Sequence, residues 1–447
     1  MDLKRKIYEK LSLWKTESQG QSALLIEGAR RVGKSYAVKQ FAQSAYESYI
    51  LVDFSNISPQ IIDIFENDTM NLDLFFSKLS VFYGVRLIPR NSLIIFDEIQ
   101  MYPHARQLIK HFVADGRFDY IETGSLITLK QNVENIVIPS EEEKITMYPL
   151  DFEEFLWAMN DEVSFPYLKT CLTEKKPVGE AIHRKIMNLF RQYMLVGGMP
   201  QAVLMYTETN DFEKTDRVKR RILELYRNDV TKFAKGYESK VLSIFDRIPS
   251  QLSKHEKKFS MSSLQKSARF RDYENAFIWL DETMIINTCF NSTDPNIGLS
   301  LNSERLTLKC YMADTGLLFS LAFSDSELLE DGIYKAILFD RLELNEGMFM
   351  ENIVAQMLRS RGYKLFFYSR NDRNQTENRM ELDFLISKQR KISPLEVKSS
   401  GYTKHSSLDK FKAKFSKKIG TRYIIYTKDY KEEGDIVYLP IYMVGLL

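Results

Sequence analysis

Gly28-Ala29-Arg30-Arg31-Val32-Gly33-Lys34-Ser35 is a complete G-x-x-x-x-G-K-[ST] loop. Its two glycines let the backbone bend until successive N–H groups face one anion. Lys34 then reaches the β- and γ-phosphates, and the Ser35 hydroxyl suits Mg2+. The flanks match. Ala23-Leu24-Leu25-Ile26-Glu27 has the length of a buried strand, and Lys34 to Ala45 contains no Gly or Pro and reads as a helix. Such a helix aims its positive N-terminal end at the same phosphates. The stretch therefore predicts an ATP site formed by Gly28, Ala29, Arg30, Arg31, Val32, Gly33, Lys34, Ser35 and Tyr36, in an α/β domain with a parallel sheet.

A second motif agrees. Ser92-Leu93-Ile94-Ile95-Phe96-Asp97-Glu98 is an apolar run ending in two carboxylates. A parallel strand buried on both faces reads this way, and ligands bind at the carboxyl ends of such strands. Asp97 is expected to hold Mg2+ through water, and Glu98 to act as the base that polarises the attacking water. The competing reading is a helix start that favours acids. A third strand is expected in Phe118 to Ser125, placing Thr123 or Ser125 against the γ-phosphate. Capping of a following helix by Ser125 is the rival there. Tyr49 to Phe54 reads as a further strand.

Composition narrows the class. The 447 residues suggest about three domains. Apolar content of 44% leaves ample core, and a net charge of only +2 gives no global drive toward nucleic acid. No run has the length of a membrane helix, and the charged start Met1 to Lys6 lacks an apolar signal core. Cys171, Cys289 and Cys310 show no metal-ligand spacing, nor do the five histidines. A cytoplasmic, reduced protein without a membrane partner is expected.

Four segments follow from the pattern. Residues 1–150 alternate strand-like and helix-like stretches, as a P-loop ATPase domain does. Pro149 and Asp151 mark a stop and a helix cap. Residues 151–235 read as a helical lid, broken at Gly197-Gly198-Met199-Pro200 by a helix end and a sharp turn. Residues 236–330 read as a winged helix. Its helices start at Ser262 and Arg271, and its wing strands are Met284-Ile285-Ile286 and Leu306 to Tyr311. Lys254, Lys257, Lys258, Lys266, Arg269 and Arg271 crowd this segment, which suits a DNA backbone or simply a solvated face. Residues 331–447 form the last segment. From Lys391 to Lys428 it carries ten Lys or Arg against Glu396 and Asp409.

That segment holds an acidic constellation. Glu381 to Ile386 and Pro394 to Lys398 read as a hairpin. Residues two apart on a strand share a face, so Glu396 and Lys398 align and Asp383 joins them from the partner strand. Two carboxylates and a lysine suit Mg2+-dependent phosphodiester hydrolysis. Asp383 and Glu396 would be metal ligands, Glu351 on an upstream helix a third, and Lys398 would orient the water. A salt-bridged hairpin is the competing reading.

Taken together, the motifs resemble the archaeal-type AAA ATPases whose C-terminal domain of unknown function is similar to the PD-(D/E)xK nuclease fold. The resemblance runs along the chain through GARRVGKS at 28–35, LIIFDEIQ at 93–100, ETGS at 122–125, YPLDFEEFL at 148–156 and GGMP at 197–200. It continues through YMADTGLL at 311–318, ENIVAQML at 351–358, ELDFLI at 381–386 and PLEVKSS at 394–400. It implies an ATP-binding core, a winged-helix lid and a nuclease-like tail, with Gly198 and Pro200 lining the adenine pocket. The motif order and the two basic regions point to DNA as a partner, and related ATPases often complete their active sites between subunits, which makes a homo-oligomer one option. One departure stands out. The Gly-Arg pair often found before the YPL segment is replaced by Ser140-Glu141-Glu142-Glu143-Lys144-Ile145. An arginine normally stabilises transition-state charge in phosphoryl transfer. Arg106, Arg117 and Arg227 are the candidate substitutes, and slow hydrolysis is expected.

Overall fold

The structure, a computed structural model, describes residues 2–124, 140–296, 298–324, 334, 346–370, 379–388, 390–403 and 405–447. The described chain divides into two units. One is Arg5–Tyr148 with Glu282–Met284. The other is Pro149–Asp281 and Ile285–Leu447, with the residues up to Lys4.

The first unit is built on strands β1 (Ala23–Gly28), β2 (Ser48–Asp53), β3 (Ser92–Asp97), β4 (Asp119–Gly124) and β5 (Glu142–Met147). All pair in parallel, in the order β2-β3-β4-β1-β5. Every residue of β3 and β4 is buried, as the apolar runs require. Helices α1 (Ile7–Ser18), α2 (Lys34–Ala45), α3 (Pro59–Asn67), α4 (Leu72–Tyr83) and α5 (Pro103–Asp115) lie between and before the strands. Ser58 and Asn71 cap α3 and α4 by accepting from Ile61 N and Leu74 N. Phe54, Phe65, Phe75, Phe96 and Phe112 interlock in the core, with Phe65 and Phe75 edge to face at 5.1 Å. This strand order matters for function. It inserts β4 between β1 and β3, so Thr123 lies between the loop after β1 and the acids that end β3.

The second unit begins with α6 (Phe152–Ala158), α7 (Ser164–Glu174), α8 (Glu180–Val196), α9 (Pro200–Thr209), α10 (Phe212–Phe233), α11 (Glu238–Leu252) and α12 (Glu274–Glu282). Asp151 and Glu154 form a capping box at the start of α6. Strands β6 (Ile286–Ser292) and β7 (Ser303–Met312) follow, then α13 (Thr315–Ala322) and α14 (Glu346–Ser360). The rest is β8 (Leu365–Arg370), β9 (Met380–Lys388), β10 (Lys391–Val397), α15 (Ser406–Phe415), β11 (Arg422–Tyr426), β12 (Lys431–Glu433) and β13 (Ile436–Pro440).

The strands expected to form a wing belong to a larger sheet. β6 and β7 do form an antiparallel pair, but β6 also pairs in parallel with β8 through Cys289 and Leu365. The result is one eight-stranded sheet, β12-β13-β11-β10-β9-β8-β6-β7. A division at residue 330 thus falls between strands of a single sheet. The helix expected at Ser262 is one 3-10 turn, Met261–Ser263.

The Gly197-Gly198 turn is explained by packing. Gly197 has φ +82°, and a Cβ on it would strike the carboxylate of Asp314. A Cβ on Gly198 would strike the backbone of Leu150. Nearby, Lys219 on α10 is fully buried and donates to Leu195 O at 2.7 Å, with Asp216 at 3.9 Å. Burial lowers its pKa to about 8, against opposition from Asp216 and Asp314. The unfolded chain keeps this proton to about pH 10.5. Between about pH 8 and pH 10.5 the unfolded state therefore binds more protons, and stability rises with pH as the penalty is lifted. Relative to Lys219→Met, the wild type is expected to gain on the order of 2–3 kcal/mol across that window. Urea midpoints of both proteins from about pH 8 to pH 10 check this, and a constant difference would sink it.

Candidate functional site

The phosphate loop has the backbone the motif demands. Gly33 is left-handed at φ +94° and caps α2, and Arg31 is also left-handed at φ +70°. Ala29 and Val32 are buried, while Arg30, Arg31 and Tyr36 are exposed. Lys34 is buried, and its Nζ donates to Gly28 O at 3.0 Å and Ala29 O at 3.1 Å. Burial lowers its pKa, against the pull of Glu98 and Asp97. An ammonium held by its own loop carbonyls exchanges readily for a phosphate, which offers charge as well as acceptors.

Three predicted side chains meet at the end of β3. Ser35 Oγ donates to Asp97 Oδ1 at 2.7 Å, and Thr123 Oγ1 donates to the same oxygen. A hydroxyl beside a carboxylate is the oxygen-only donor set that Mg2+ takes, so Ser35 and Asp97 fit the ion. Glu98 follows in a left-handed conformation, φ +53°, with its N–H on Thr123 Oγ1 at 3.3 Å. Its carboxylate accepts from the Gln100 side-chain amide. Ser125, the alternative sensor, lies outside the described residues.

Sequence reading missed two supports. Arg5 is buried and donates to Val32 O at 3.2 Å and Tyr148 O at 2.8 Å, tying the phosphate loop to the end of β5. Gln100 orients Glu98. Neither belongs to a motif, so spacing alone could not reveal them.

The candidate arginines are all engaged. Arg106 is buried and grips Glu142 at 3.0 and 2.9 Å, with Glu122 at 3.8 Å. Burial, with Glu142 adding to it, pushes the Glu122 carboxyl far above its ordinary range, and neither of its oxygens has a hydrogen bond. Arg117 is held by Asp115 at 2.7 Å and by Asp73 at 2.6 Å. Arg227, in the second unit, pairs with Asp246 at 2.6 Å.

Gly198 and Pro200 lie in the second unit. The Gly198 N–H donates to Asp314 Oδ2 at 2.6 Å and its carbonyl accepts from Leu150 N at 2.7 Å, while Pro200 opens α9. Gly198 therefore spends both backbone groups inside its own unit.

The C-terminal constellation departs from the expectation. Glu351 and Asp383 do come together, but with Lys309 between them. Its Nζ lies 3.0 Å from Glu381, 3.2 Å from Asp383 and 3.7 Å from Glu351. Burial alone would lower the Lys309 pKa. The three carboxylates more than reverse this and hold it above the ordinary lysine value. Glu396 pairs instead with Lys398 at 2.7 Å. Among the described residues, no group of three or more His, Cys, Asp or Glu could hold a metal ion. Glu351, Asp383 and Glu396 are thus not assembled as a ligand set.

The basic regions are also partly spent internally. Lys257 pairs with Glu351, and Lys258 with Glu381 at 3.2 Å. Lys412 pairs with Asp435 at 2.7 Å, Lys418 with Asp294 at 3.0 Å, and Arg422 with both Asp409 and Asp435.

Comparison with known proteins agrees with the first unit. Residues 20–156 match the family model of an AAA domain. Residues 187–327 and 346–444 match two domains of unknown function, DUF8612 and DUF4143. No curated protein matches the chain. Among solved structures, the Walker-type ATPase paby2304 of Pyrococcus abyssi aligns at 14% identity, covering 72% of this chain and 96% of that one, with a TM-score of 0.42. The Aeropyrum pernix ORC1 protein, solved in complex with DNA, aligns at 12% identity over 73% and 94% of the chains, with a TM-score of 0.29. Cdc6p from Pyrobaculum aerophilum aligns at 11% over 76% and 94%, with a TM-score of 0.25. At these TM-scores the likeness carries no argument about function. The first unit is an AAA-type P-loop ATPase domain with a parallel α/β sheet. No described helix is long and apolar enough to cross a membrane.

Proposed function

We propose that the chain is a Mg2+-ATP-dependent switch that turns over slowly and works on or near DNA. The observation that carries this reading is the convergence of Lys34, Ser35, Asp97, Thr123 and Glu98 at one end of a parallel sheet. Lys34 binds the β- and γ-phosphates, Thr123 senses the γ-phosphate, and Glu98 takes a proton from the attacking water. Ser35 and Asp97 would hold Mg2+, which when bound neutralises phosphate charge. Slow turnover is supported by the capture of Arg106, Arg117 and Arg227 in carboxylate pairs.

In this reading the second unit combines a lid, winged-helix elements and a nuclease-like sheet. DNA association rests on the exposed Lys266, Arg269, Lys414 and Lys417. Phosphodiester cleavage is not part of this reading, because Lys257 and Lys309 engage Glu351 and Asp383, and Glu396 pairs with Lys398 instead of joining them.

ATP turnover by the purified chain with Mg2+, with and without duplex DNA, tests the main reading. Lys34→Ala is expected to weaken ATP binding by about 100-fold, roughly 2.7 kcal/mol, with an unchanged circular dichroism spectrum. Retained affinity in that variant would overturn the assignment. DNA binding should weaken steeply with salt.

A further inference from the structure

A nuclease-like reading of the second unit needs a divalent ion at Glu351, Asp383 and Glu396, and the residues present do not fit one. Both oxygens of Asp383 are engaged, Oδ1 by Lys309 and Oδ2 by Val397 N–H at 2.9 Å. Both oxygens of Glu351 are engaged too, one by Lys257 and the other by the Tyr311 hydroxyl at 3.0 Å. The charges of the cluster balance within the chain. Glu351, Glu381 and Asp383 face Lys309, Lys257 and Lys258.

The central lysine cannot leave easily. Lys309 lies within β7, paired with Cys289 of β6 on one side and bridged to Lys258 on the other. Phe259 N–H donates to Leu308 O at 2.8 Å, so the segment carrying Lys257 and Lys258 runs along the outer edge of β7 and covers it. The Lys309 ammonium also sits 5.2 Å from the centre of the Phe367 ring, and the residue is 1% exposed. A divalent ion seated between Glu351 and Asp383 would meet this fixed positive charge at a few ångströms, in a medium that screens poorly.

We propose that Lys309 is the resident cation of this centre, covered by Lys257 and Lys258, so that the centre takes no divalent metal. It acts as an electrostatic tie joining β7, β9, α14 and the covering segment, and it does not cut. No residue of the ATP site takes part in this centre. The acids that the sequence offered as metal ligands hold a lysine which no motif marks.

Mn2+ alone, titrated into the nucleotide-free full chain and followed by electron paramagnetic resonance of the free ion, tests this. Wild type is expected to bind no more Mn2+ than the Glu351→Gln/Asp383→Asn double variant. Lys309→Ala, which strips the carboxylates of their internal cation, is expected to gain a Mn2+ site at least about tenfold tighter than any in wild type. Its Tm should then rise with Mn2+, while that of the wild type stays still. Mn2+ bound by wild type and lost in the double variant would overturn the proposal, and so would a folded Lys309→Ala that gains no site. If Lys309→Ala does not fold, the wild-type comparison decides alone. Because no nucleotide is present, failure of the ATP reading would show only in the Lys34→Ala measurement and leaves this result untouched.

Discussion

Glu98→Gln is expected to lower ATP turnover by about 10²–10⁴-fold, the usual worth of a positioned general base, while leaving ATP affinity within about twofold. The geometry explains the split. In the proposed mechanism Glu98 would act through its carboxylate, whereas Lys34, Ser35 and Asp97 would hold phosphate and metal. Its backbone is held by Thr123 in a left-handed conformation that most residues avoid, so the side chain is aimed rather than free. Glutamine keeps that shape and loses the proton acceptor. Gln100 acts in the same direction. Its amide holds one Glu98 oxygen in place, so Gln100→Ala should lower turnover a few-fold by loosening the base. Steady-state phosphate release, with and without DNA, reads both variants. Equal turnover in wild type and Glu98→Gln would remove Glu98 from the mechanism. Stimulation by DNA in wild type that vanishes in Glu98→Gln would link hydrolysis to nucleic acid.

The strand, loop and helix of the candidate nucleotide site were legible because their information is local. Strand, loop and helix follow one another from Ala23 to Ala45, and the acids of β3 directly end their own apolar run. The cap at Asp151 was readable for the same reason. What escaped depends on pairings between distant segments. Leu308-Lys309-Cys310-Tyr311 reads as a strand in either fold. Only the register of β6 with β8 brings Lys309 under Glu351, Glu381 and Asp383. A lysine inside an apolar strand was the available signal, since burial of an ammonium demands carboxylate partners. The acidic triad suggested a metal because spacing reveals faces of a strand but not which cation lies between them. The sequence could not choose among Arg106, Arg117 and Arg227 for the same reason, since their partners Glu142, Asp115 and Asp246 are set by the fold.

Asp314→Ala is expected to destabilise the second unit by roughly 3–5 kcal/mol, a large share of what typically holds a domain together. Asp314 is 1% exposed and serves two elements at once. One carboxylate oxygen caps α13 through Leu317 N–H at 2.9 Å, and the other takes Gly198 N–H at 2.6 Å. Alanine leaves two buried donors unpaired, each costing about 1–3 kcal/mol. The adjoining Gly316 is packed against the Val196 and Gly197 backbone too closely to tolerate a Cβ, so the two segments meet here through backbone and this one carboxylate. The loss also spreads. Thr315, next in the chain, donates to Gln356 at 2.8 Å, Gln356 donates to the Tyr193 hydroxyl at 3.1 Å, and Tyr193 donates to Leu150 O at 2.7 Å. These bonds join α8, α13 and α14 to the start of the unit and depend on one placement of the turn. Asp314→Asn should recover about half the loss, since its single carbonyl can accept from only one of the two N–H groups. Urea unfolding of the three proteins measures this. If Asp314→Ala fell within about 1 kcal/mol of wild type, water or a relaxed turn would be satisfying both donors, and the Gly-Gly turn would not depend on the carboxylate.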